Sequence, residues 1–145
     1  MRIAIGADHA GWTLKNHLRD RLVEAGHELR DFGTDSADSV DYPDFAARVA
    51  RAVASGEADR GLLVCGSGIG MAIAANRVRG ARAAACVDLY SAELCRRHND
   101  ANILTLGSRI VAAPLAEALL ERFLTTAFEG GRHERRVAKL DGEPE

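Results

Sequence analysis

In the middle of the chain lies the segment Gly61-Leu62-Leu63-Val64-Cys65-Gly66-Ser67-Gly68-Ile69-Gly70. Its apolar first half, Gly61–Cys65, has the length and composition of a buried strand. Its second half carries three alternating glycines and leads into a helix predicted over Gly70–Asn76. Because a buried strand that turns at once into a helix is the repeating unit of parallel sheets, the segment predicts an α/β fold.

The same alternation continues on both sides of this segment. Further strands are predicted at Arg2–Ala7, Glu28–Phe32, Ala83–Val87 and Ile103–Leu106. Apolar residues at helical spacing predict helices around Leu14–Leu22 and Phe45–Val53, with further helices at Ser91–His98 and Ala113–Phe128. Strands that alternate with helices predict a Rossmann-like three-layer sandwich with a five-stranded, mainly parallel sheet.

The composition restricts the function classes. A chain of 145 residues predicts one domain, 1–145, in which a basic helix at about 131–140 precedes a loose acidic tail at 141–145. The net charge of −2 argues against a nucleic-acid partner, and no apolar run approaches the roughly 18 residues of a membrane span. The first residues lack the pattern of a secretory signal, so we expect a cytoplasmic protein whose partners are small molecules or a second copy.

Cysteines and histidines give no pattern of a metal site. Cys65, Cys86 and Cys95 form no Cys-x-x-Cys pair, and the five histidines show no ligand spacing. We therefore expect no metal and no other cofactor. Cys86 and Cys95 are predicted to be small buried residues.

Candidate site residues follow the predicted strands. Ligands of open parallel sheets bind beyond the carboxyl ends of the strands, where loops and helix starts converge. Asp8-His9 follows the first strand, Cys65–Gly70 the third, Asp88 the fourth and Gly107-Ser108-Arg109 the fifth. We also expect His98 at this edge. These positions predict one site built from several loops.

Two interpretations of the glycine-rich turn remain open from the residues alone. Thiols at helix starts have pKa values lowered from about 8.5, which would make Cys65 a working thiolate. Alternatively, Cys65 only ends a core strand and the glycines only make a tight turn. A dinucleotide site, with Gly66 and Gly68 at the phosphates and Asp88 at the ribose, is disfavoured because Met71 occupies the position of the third glycine.

The basic residues near the C-terminus also allow two interpretations. The cluster comprises Arg132, Arg135, Arg136 and Lys139. It is either a solvated helix face or a phosphate grip in which Arg132 and Arg136 point the same way from successive turns.

Six dispersed blocks resemble one known family. They are Asp8-His9-Ala10-Gly11, Asp41-Tyr42-Pro43, Cys65–Gly70, Arg97-His98-Asn99-Asp100-Ala101-Asn102, Gly107-Ser108-Arg109 and Gly130-Gly131-Arg132-His133. Their order and residues are similar to those of the ribose-5-phosphate isomerase B / galactose-6-phosphate isomerase family. Members of this family interconvert a phosphorylated aldose and its ketose through an enediolate, without a metal.

The resemblance implies a role for each matching residue. His98, assisted by Asp41, would open the sugar ring, and Cys65 would carry a proton between carbons one and two. Ser67 and the backbone of Gly66, Gly68, Ile69 and Gly70 would stabilise the enediolate. Sugar hydroxyls would be held by Asp8, Tyr42 and Asn99, and the phosphate by His9, Arg109, Arg132 and Arg136.

The resemblance also implies an assembly and leaves the substrate open. Some members use a glutamate after the last glycine of the loop, but that position is Met71 here, which makes Cys65 the expected base. Family members are dimers or tetramers with shared sites, so His98, Asn99 and Arg109 are expected to come from a second subunit. We expect ribose 5-phosphate as substrate. A four- or six-carbon sugar phosphate, or a non-catalytic nucleotide- or sugar-phosphate-binding module, remains an alternative.

Overall fold

Five strands form a single parallel sheet in the structure, a computed structural model that describes residues 1–142. They are β1 (Arg2–Ala7), β2 (Glu28–Asp31), β3 (Arg60–Cys65), β4 (Ala83–Ala85) and β5 (Ile103–Gly107). Their order across the sheet is β2-β1-β3-β5-β4, and all four neighbouring pairs are parallel. The predicted parallel sheet is confirmed.

Helices cover both faces of this sheet. They are α1 (Trp12–Glu24), α2 (Tyr42–Ala54), α3 (Ile69–Ala75), α4 (Leu89–Arg97), α5 (Ala113–Thr125) and α6 (Arg132–Leu140). Buried residues of α1, α4 and α5 pack in one apolar cluster, and those of α2 and α3 pack in a second. The predicted three-layer α/β sandwich is therefore confirmed, and α6 lies within the basic helix predicted at 131–140.

Alternating side chains of the strands divide the core into these two clusters. Ile3 and Ile5 of β1 pack with α1 and α5, whereas Ala4 between them packs with α2. All three side chains are buried, as both faces of a covered parallel sheet require.

The chain leaves neighbouring strands toward opposite faces of the sheet. β1 leads into α1 on one face, and its neighbour β3 leads into α3 on the other. Such a divergence opens a crevice at the carboxyl ends of the two strands, which is where open α/β sheets bind ligands. Asp8 and Cys65 stand at the two sides of this crevice.

The end of the chain differs in part from its prediction. Asp141, expected in a loose tail, accepts two hydrogen bonds from Arg82 Nη1, at 2.9 and 2.8 Å. This ion pair ties the end of α6 to the segment before β4. Residues 143–145 of the predicted tail lie outside the described residues. No helix within residues 1–142 is long and apolar enough to cross a membrane.

Candidate active site

A cavity of about 560 Å³ lies at the carboxyl ends of β1, β3 and β5. Side chains on its wall come from four separate places in the sequence: Asp8, Tyr42, Cys65, Ser67 and Arg109. We call these five residues the thiol half-site. The loop residues Gly66, Ile69 and Gly70 complete the same wall, and Gly68 lies between them in the turn. The sheet edge thus brings together residues that the sequence placed after different strands.

Cys65 is the last residue of β3 and is held from two sides. Its carbonyl oxygen accepts a hydrogen bond from Ser108 N at 2.8 Å, and its sulfur accepts one from Gly68 N at 3.1 Å. The side chain is 5% exposed but lines the cavity. An N–H group aimed at sulfur stabilises negative charge there, so the position suits a thiol that gives up and recovers a proton.

The turn after Cys65 depends on Gly68. Its φ is +79°, and a Cβ at this position would lie 2.9 Å from the carbonyl carbon of Leu106. The Thr105 hydroxyl donates to the Gly68 carbonyl oxygen at 2.8 Å, which fixes the turn against β5. A larger residue would push the turn away from β5 and move the Cys65 sulfur with it.

The same turn also carries polar groups that can bind an anion. The Ser67 hydroxyl oxygen accepts a hydrogen bond from Ile69 N at 3.2 Å. Within residues 1–142 the backbone N–H groups of Gly70 and Met71 have no hydrogen-bond partner. Unpaired N–H groups beside a hydroxyl can stabilise an oxyanion. Met71 itself is fully buried and has no group that exchanges a proton.

Asp8 and His9 fix the loop after β1. One Asp8 carboxylate oxygen accepts hydrogen bonds from Ala10 N and Gly11 N at 3.0 and 3.1 Å. Within residues 1–142 the second oxygen accepts none, so it is available to a ligand. His9 Nδ1 accepts a hydrogen bond from Val40 N at 3.2 Å, which leaves Nε2 as the nitrogen that can donate.

Tyr42 lines the cavity from the first position of α2, and Asp41 precedes it. Asp41 occupies the N-cap position, as its sequence context indicates, but its side chain makes no capping hydrogen bond and stays exposed. The Tyr42 ring packs on Gly70, where a Cβ would lie 2.7 Å from two ring carbons. Gly70 therefore gives Tyr42 its place on the cavity wall.

Arg109 differs from its expected position. The resemblance implied that Arg109 acts in the site of a second subunit, but it lines the cavity of its own chain. Its Nη1 atom lies 3.0 Å from the position that a Cβ on Gly66 would take. The reason is the pairing of β5 with β3, in which Gly107 stands beside Cys65 and brings the next turn over the glycines. Within residues 1–142 Arg109 forms no ion pair.

The prediction that His98 lies at the carboxyl edge of the sheet is wrong. His98 caps the C-terminus of α4, and α4 runs back from the end of β4 toward the start of β5. A crossover helix runs antiparallel to its strands, so its last residues lie at the opposite edge. Asn99 lines a cavity near the start of β4, together with Ala83 and Leu140.

Arg132 and Arg136 accompany His98 at that opposite edge. The His133 ring, which lies between them on α6, stacks on the His98 ring with centroids 4.4 Å apart. Both arginines are exposed, and neither forms an ion pair inside the described part of the chain. We call His98, Asn99, Arg132 and Arg136 the histidine half-site. One chain thus carries both halves of the predicted site but holds them apart.

Two residues beside His98 were not singled out by the sequence. Glu129 Oε2 lies 3.8 Å from His98 Nε2, and the buried His133 ring covers the other side. His133 belongs to the block Gly130-Gly131-Arg132-His133, but that block gave no indication of its contact with His98. Burial lowers the pKa of His133 below its ordinary value, and the nearby positive groups His98 and Arg132 add to this effect.

The remaining candidate residues have structural partners. Asp88 caps α4: its two carboxylate oxygens accept hydrogen bonds from Ser91 N at 2.7 Å and from the Ser91 hydroxyl at 2.8 Å. These bonds, the backbone one foremost, lower the pKa of Asp88. A dinucleotide ribose would have to compete with them. Cys86 and Cys95 are buried, as predicted, with their sulfur atoms 4.0 Å apart.

Comparisons with known proteins point to one family. The family described as Ribose/Galactose Isomerase matches residues 3–140. Ribose-5-phosphate isomerase B of Escherichia coli is 49% identical over 96% of this chain and 93% of its own length. D-erythrulose-4-phosphate isomerase of Pectobacterium atrosepticum is 42% identical over 97% of this chain and 93% of its own length. The structure of Clostridium thermocellum ribose-5-phosphate isomerase B superposes with a TM-score of 0.96 at 52% identity, covering 97% of this chain and 95% of that one.

Proposed function

Because this chain belongs to the ribose/galactose isomerase family, we propose that it interconverts ribose 5-phosphate and ribulose 5-phosphate. The single observation that carries the mechanism is the position of Cys65, whose sulfur lines the cavity on a turn rich in backbone N–H groups. An aldose–ketose isomerase needs a ring opener, a base, an oxyanion site and a phosphate anchor. The chain offers a residue for each of these roles.

Cys65 is the base in this proposal. Its thiolate removes the proton from carbon two of the open-chain aldose, and the electron pair moves onto the carbonyl oxygen at carbon one to form an enediolate. The hydroxyl proton on carbon two then passes to the oxygen on carbon one, and Cys65 returns its proton to carbon one as the carbonyl forms at carbon two, which gives the ketose. Met71 occupies the position for which the resemblance implied a glutamate in some members, and it is buried and cannot exchange a proton.

The turn that holds Cys65 also stabilises the enediolate. Ser67 lies on this turn beside the backbone N–H groups of Gly70 and Met71, which have no partner within residues 1–142, whereas Gly68 N and Ile69 N already donate to Cys65 and Ser67. We assign the oxyanion to the open donors of the turn. Preorganised donors of this kind act most strongly where charge appears only in the transition state. The free Asp8 oxygen and the Tyr42 hydroxyl hold sugar hydroxyls on the same wall.

The complete site requires a second copy of the chain. The thiol half-site lies at the carboxyl edge of the sheet, and the histidine half-site lies at the opposite edge. The five residues of β5 alone span about 17 Å between these edges, which is longer than a sugar phosphate, so one molecule of substrate does not contact both half-sites of one chain. We therefore propose a homodimer or tetramer in which His98, Asn99, Arg132 and Arg136 of one copy face Cys65 of another. His98 opens the ring with Asp41, while His9, Arg109 and the two α6 arginines hold the phosphate.

The number of carbon atoms in the sugar is tested separately from the mechanism. The Pectobacterium relative carries the name of a four-carbon sugar-phosphate isomerase, so relatives of this chain differ in substrate. Isomerisation assays with four-, five- and six-carbon sugar phosphates decide between them, and ribose 5-phosphate is expected to give the highest kcat/KM. A preference for another chain length would keep the mechanism and change the substrate.

The phosphorylated substrates carry charges that do not cross a bilayer unaided, which supports a cytoplasmic reaction.

Replacing Cys65 with Ala tests the base directly. We expect kcat to fall by about 10²- to 10⁴-fold, because general-base catalysis contributes this much, while KM for ribose 5-phosphate changes little. Cys95→Ala is the matched control: it removes a second buried thiol, one that packs on the other face of the sheet. Near-normal turnover in Cys65→Ala would refute the assigned base. A wild-type chain that binds sugar phosphates without turnover would favour a non-catalytic binding module.

A further inference from the structure

His98, Glu129 and His133 form a compact group of metal-ligating side chains at the amino edge of the sheet. One nitrogen of each imidazole and one oxygen of the carboxylate lie within 4.8 Å of one another. Three separate elements position them: the end of α4, the loop after α5 and the first turn of α6. The Glu129 backbone N–H donates to the Arg97 carbonyl oxygen at 3.0 Å, which fixes the loop beside His98.

One ring nitrogen of His133 lacks a hydrogen-bond partner within residues 1–142. His133 is 5% exposed, and its Nε2 atom is buried with no hydrogen-bond partner among residues 1–142. A buried polar nitrogen without a partner costs stability, so such atoms usually serve a ligand, an ion or a water molecule.

We propose that His98, Glu129 and His133 bind a divalent transition-metal cation such as Zn²⁺. Two imidazoles and one carboxylate are a ligand set that Zn²⁺ accepts in three-ligand sites, with water in the fourth position. Such ligands lie about 3.4 Å from one another around a tetrahedral zinc ion, so the ligand atoms have to approach by a little over 1 Å. The His98 ring also has to rotate out of its stack on His133, because the two ring planes are now within 12° of parallel.

The exposed members of the group are able to make this movement. Within a single chain the side chains of His98 and Glu129 are 36% and 40% exposed, so neither is packed tightly by the rest of its own chain. Glu129 Oε2 also pairs with Arg97 Nη2 at 3.2 Å, but Arg97 keeps a second partner, Glu93, at 3.1 Å. Metal binding thus costs one exposed ion pair, an interaction that contributes little.

Occupation of this site would inhibit the isomerase. A His98 imidazole held by zinc cannot exchange a proton with the sugar, so the cation and ring opening compete for the same side chain. This consequence rests on the proposed function, whereas binding of the metal does not. Zn²⁺ would act as a reversible inhibitor that a chelator removes.

Calorimetric titration of the chelator-treated full-length protein with zinc chloride tests the proposal without any substrate. We expect one Zn²⁺ per chain in the wild type and a loss of affinity of more than about 100-fold in both Glu129→Gln and His133→Gln. Glu129→Gln changes an exposed side chain, so it keeps the test valid if His133→Gln fails to fold. His17→Ala is the matched control, because His17 faces Glu117 in a similar pair at 2.6 Å without a third ligand in the described part of the chain.

Each result decides the proposal. Wild-type protein that binds no Zn²⁺, or Glu129→Gln that binds it with wild-type affinity, would overturn it. Binding lost in Cys65→Ser would place the metal at the catalytic thiol instead, and binding lost in His17→Ala would show surface adsorption. A chain that binds Zn²⁺ as expected but never isomerises ribose 5-phosphate would contradict the proposed function and leave the metal site in place.

Discussion

At the scale of single residues, His133 couples protonation to stability. Burial is the main cause of the lowered pKa of His133 in the folded chain. His98, Arg132 and Arg136 lower this pKa further, whereas Glu129 raises it. An unfolded chain takes up this proton near pH 6.5, before the folded chain does. The contribution of His133 to stability is therefore complete above that pH and is lost as the pH falls toward the folded pKa.

Replacing His133 with Asn should weaken this pH dependence. We expect the Tm of the wild type to fall between pH 7.5 and pH 5.5, and the Tm of His133→Asn to fall less over the same range. The comparison cancels the effect of His27, a half-buried histidine whose pKa is also lowered, because both proteins contain it. A steeper fall in the variant would mean that His133 gains rather than loses proton affinity on folding.

Arg132 and Arg136 form no ion pair within residues 1–142, and we propose that they bind the phosphate. Replacing both with Ala should raise KM for ribose 5-phosphate strongly, since charged hydrogen bonds contribute about 1.5–3 kcal/mol each. Arg135→Ala is the matched control, because Arg135 is an exposed neighbour on the same helix that lies off the Arg132–Arg136 row. Steady-state kinetics measure both variants. Equal KM values in the double variant and the wild type would remove the phosphate assignment.

At the scale of elements, the turn from β3 into α3 depends on close backbone contact. Gly68→Ala should destabilise the chain by more than Gly56→Ala, although both glycines have a φ near +80°. Leaving αR for αL costs an alanine about 1–2 kcal/mol at either position. Only at Gly68 would the new Cβ also meet Leu106, because nothing lies within 4 Å of a Cβ at Gly56. Urea unfolding of both variants measures the difference, and equal losses would show that the turn tolerates a methyl group.

Element boundaries show what the sequence could and could not predict. Strand and helix positions followed from apolar periodicity, but β4 ends at Ala85 instead of Val87 because this edge strand pairs with β5 alone. α5 ends at Thr125 rather than at Phe128 because the Thr125 and Thr126 hydroxyls bond back to the carbonyls of Glu121 and Arg122. Such side-chain competition with the backbone is local and leaves no mark on hydrophobic periodicity.

The direction of α4 explains the largest error about the site. The sequence predicts His98 where a helix meets the ligand-binding edge, but the structure places it at the end of α4, at the other edge of the sheet. The contact of His98 with His133 and Glu129 joins residues 31 to 35 positions apart in the sequence, with no repeating spacing between them. Side-chain clusters of this kind come from tertiary packing, so motif spacing cannot predict them.

At the scale of the whole molecule, one chain carries the thiol half-site and the histidine half-site at opposite edges of its sheet. Asp8, Tyr42, Cys65 and Ser67 share one cavity, because each follows a strand or opens a helix at the same edge. Arg109, expected from a second subunit, lines the same cavity. His98, Asn99, Arg132 and Arg136 lie at the other edge. The central claim is therefore that catalysis occurs between chains, with the thiol from one and the histidine from another.

Mixing two inactive variants tests this claim most directly. Cys65→Ala and His98→Ala, each inactive alone, should regain about a quarter of wild-type activity after joint refolding, since half the dimers are mixed and each mixed dimer has one intact site of two. Differently tagged chains show that mixed dimers form. If mixed dimers form and activity stays at the level of the separate variants, Cys65 and His98 do not act across a shared site, and the account is contradicted.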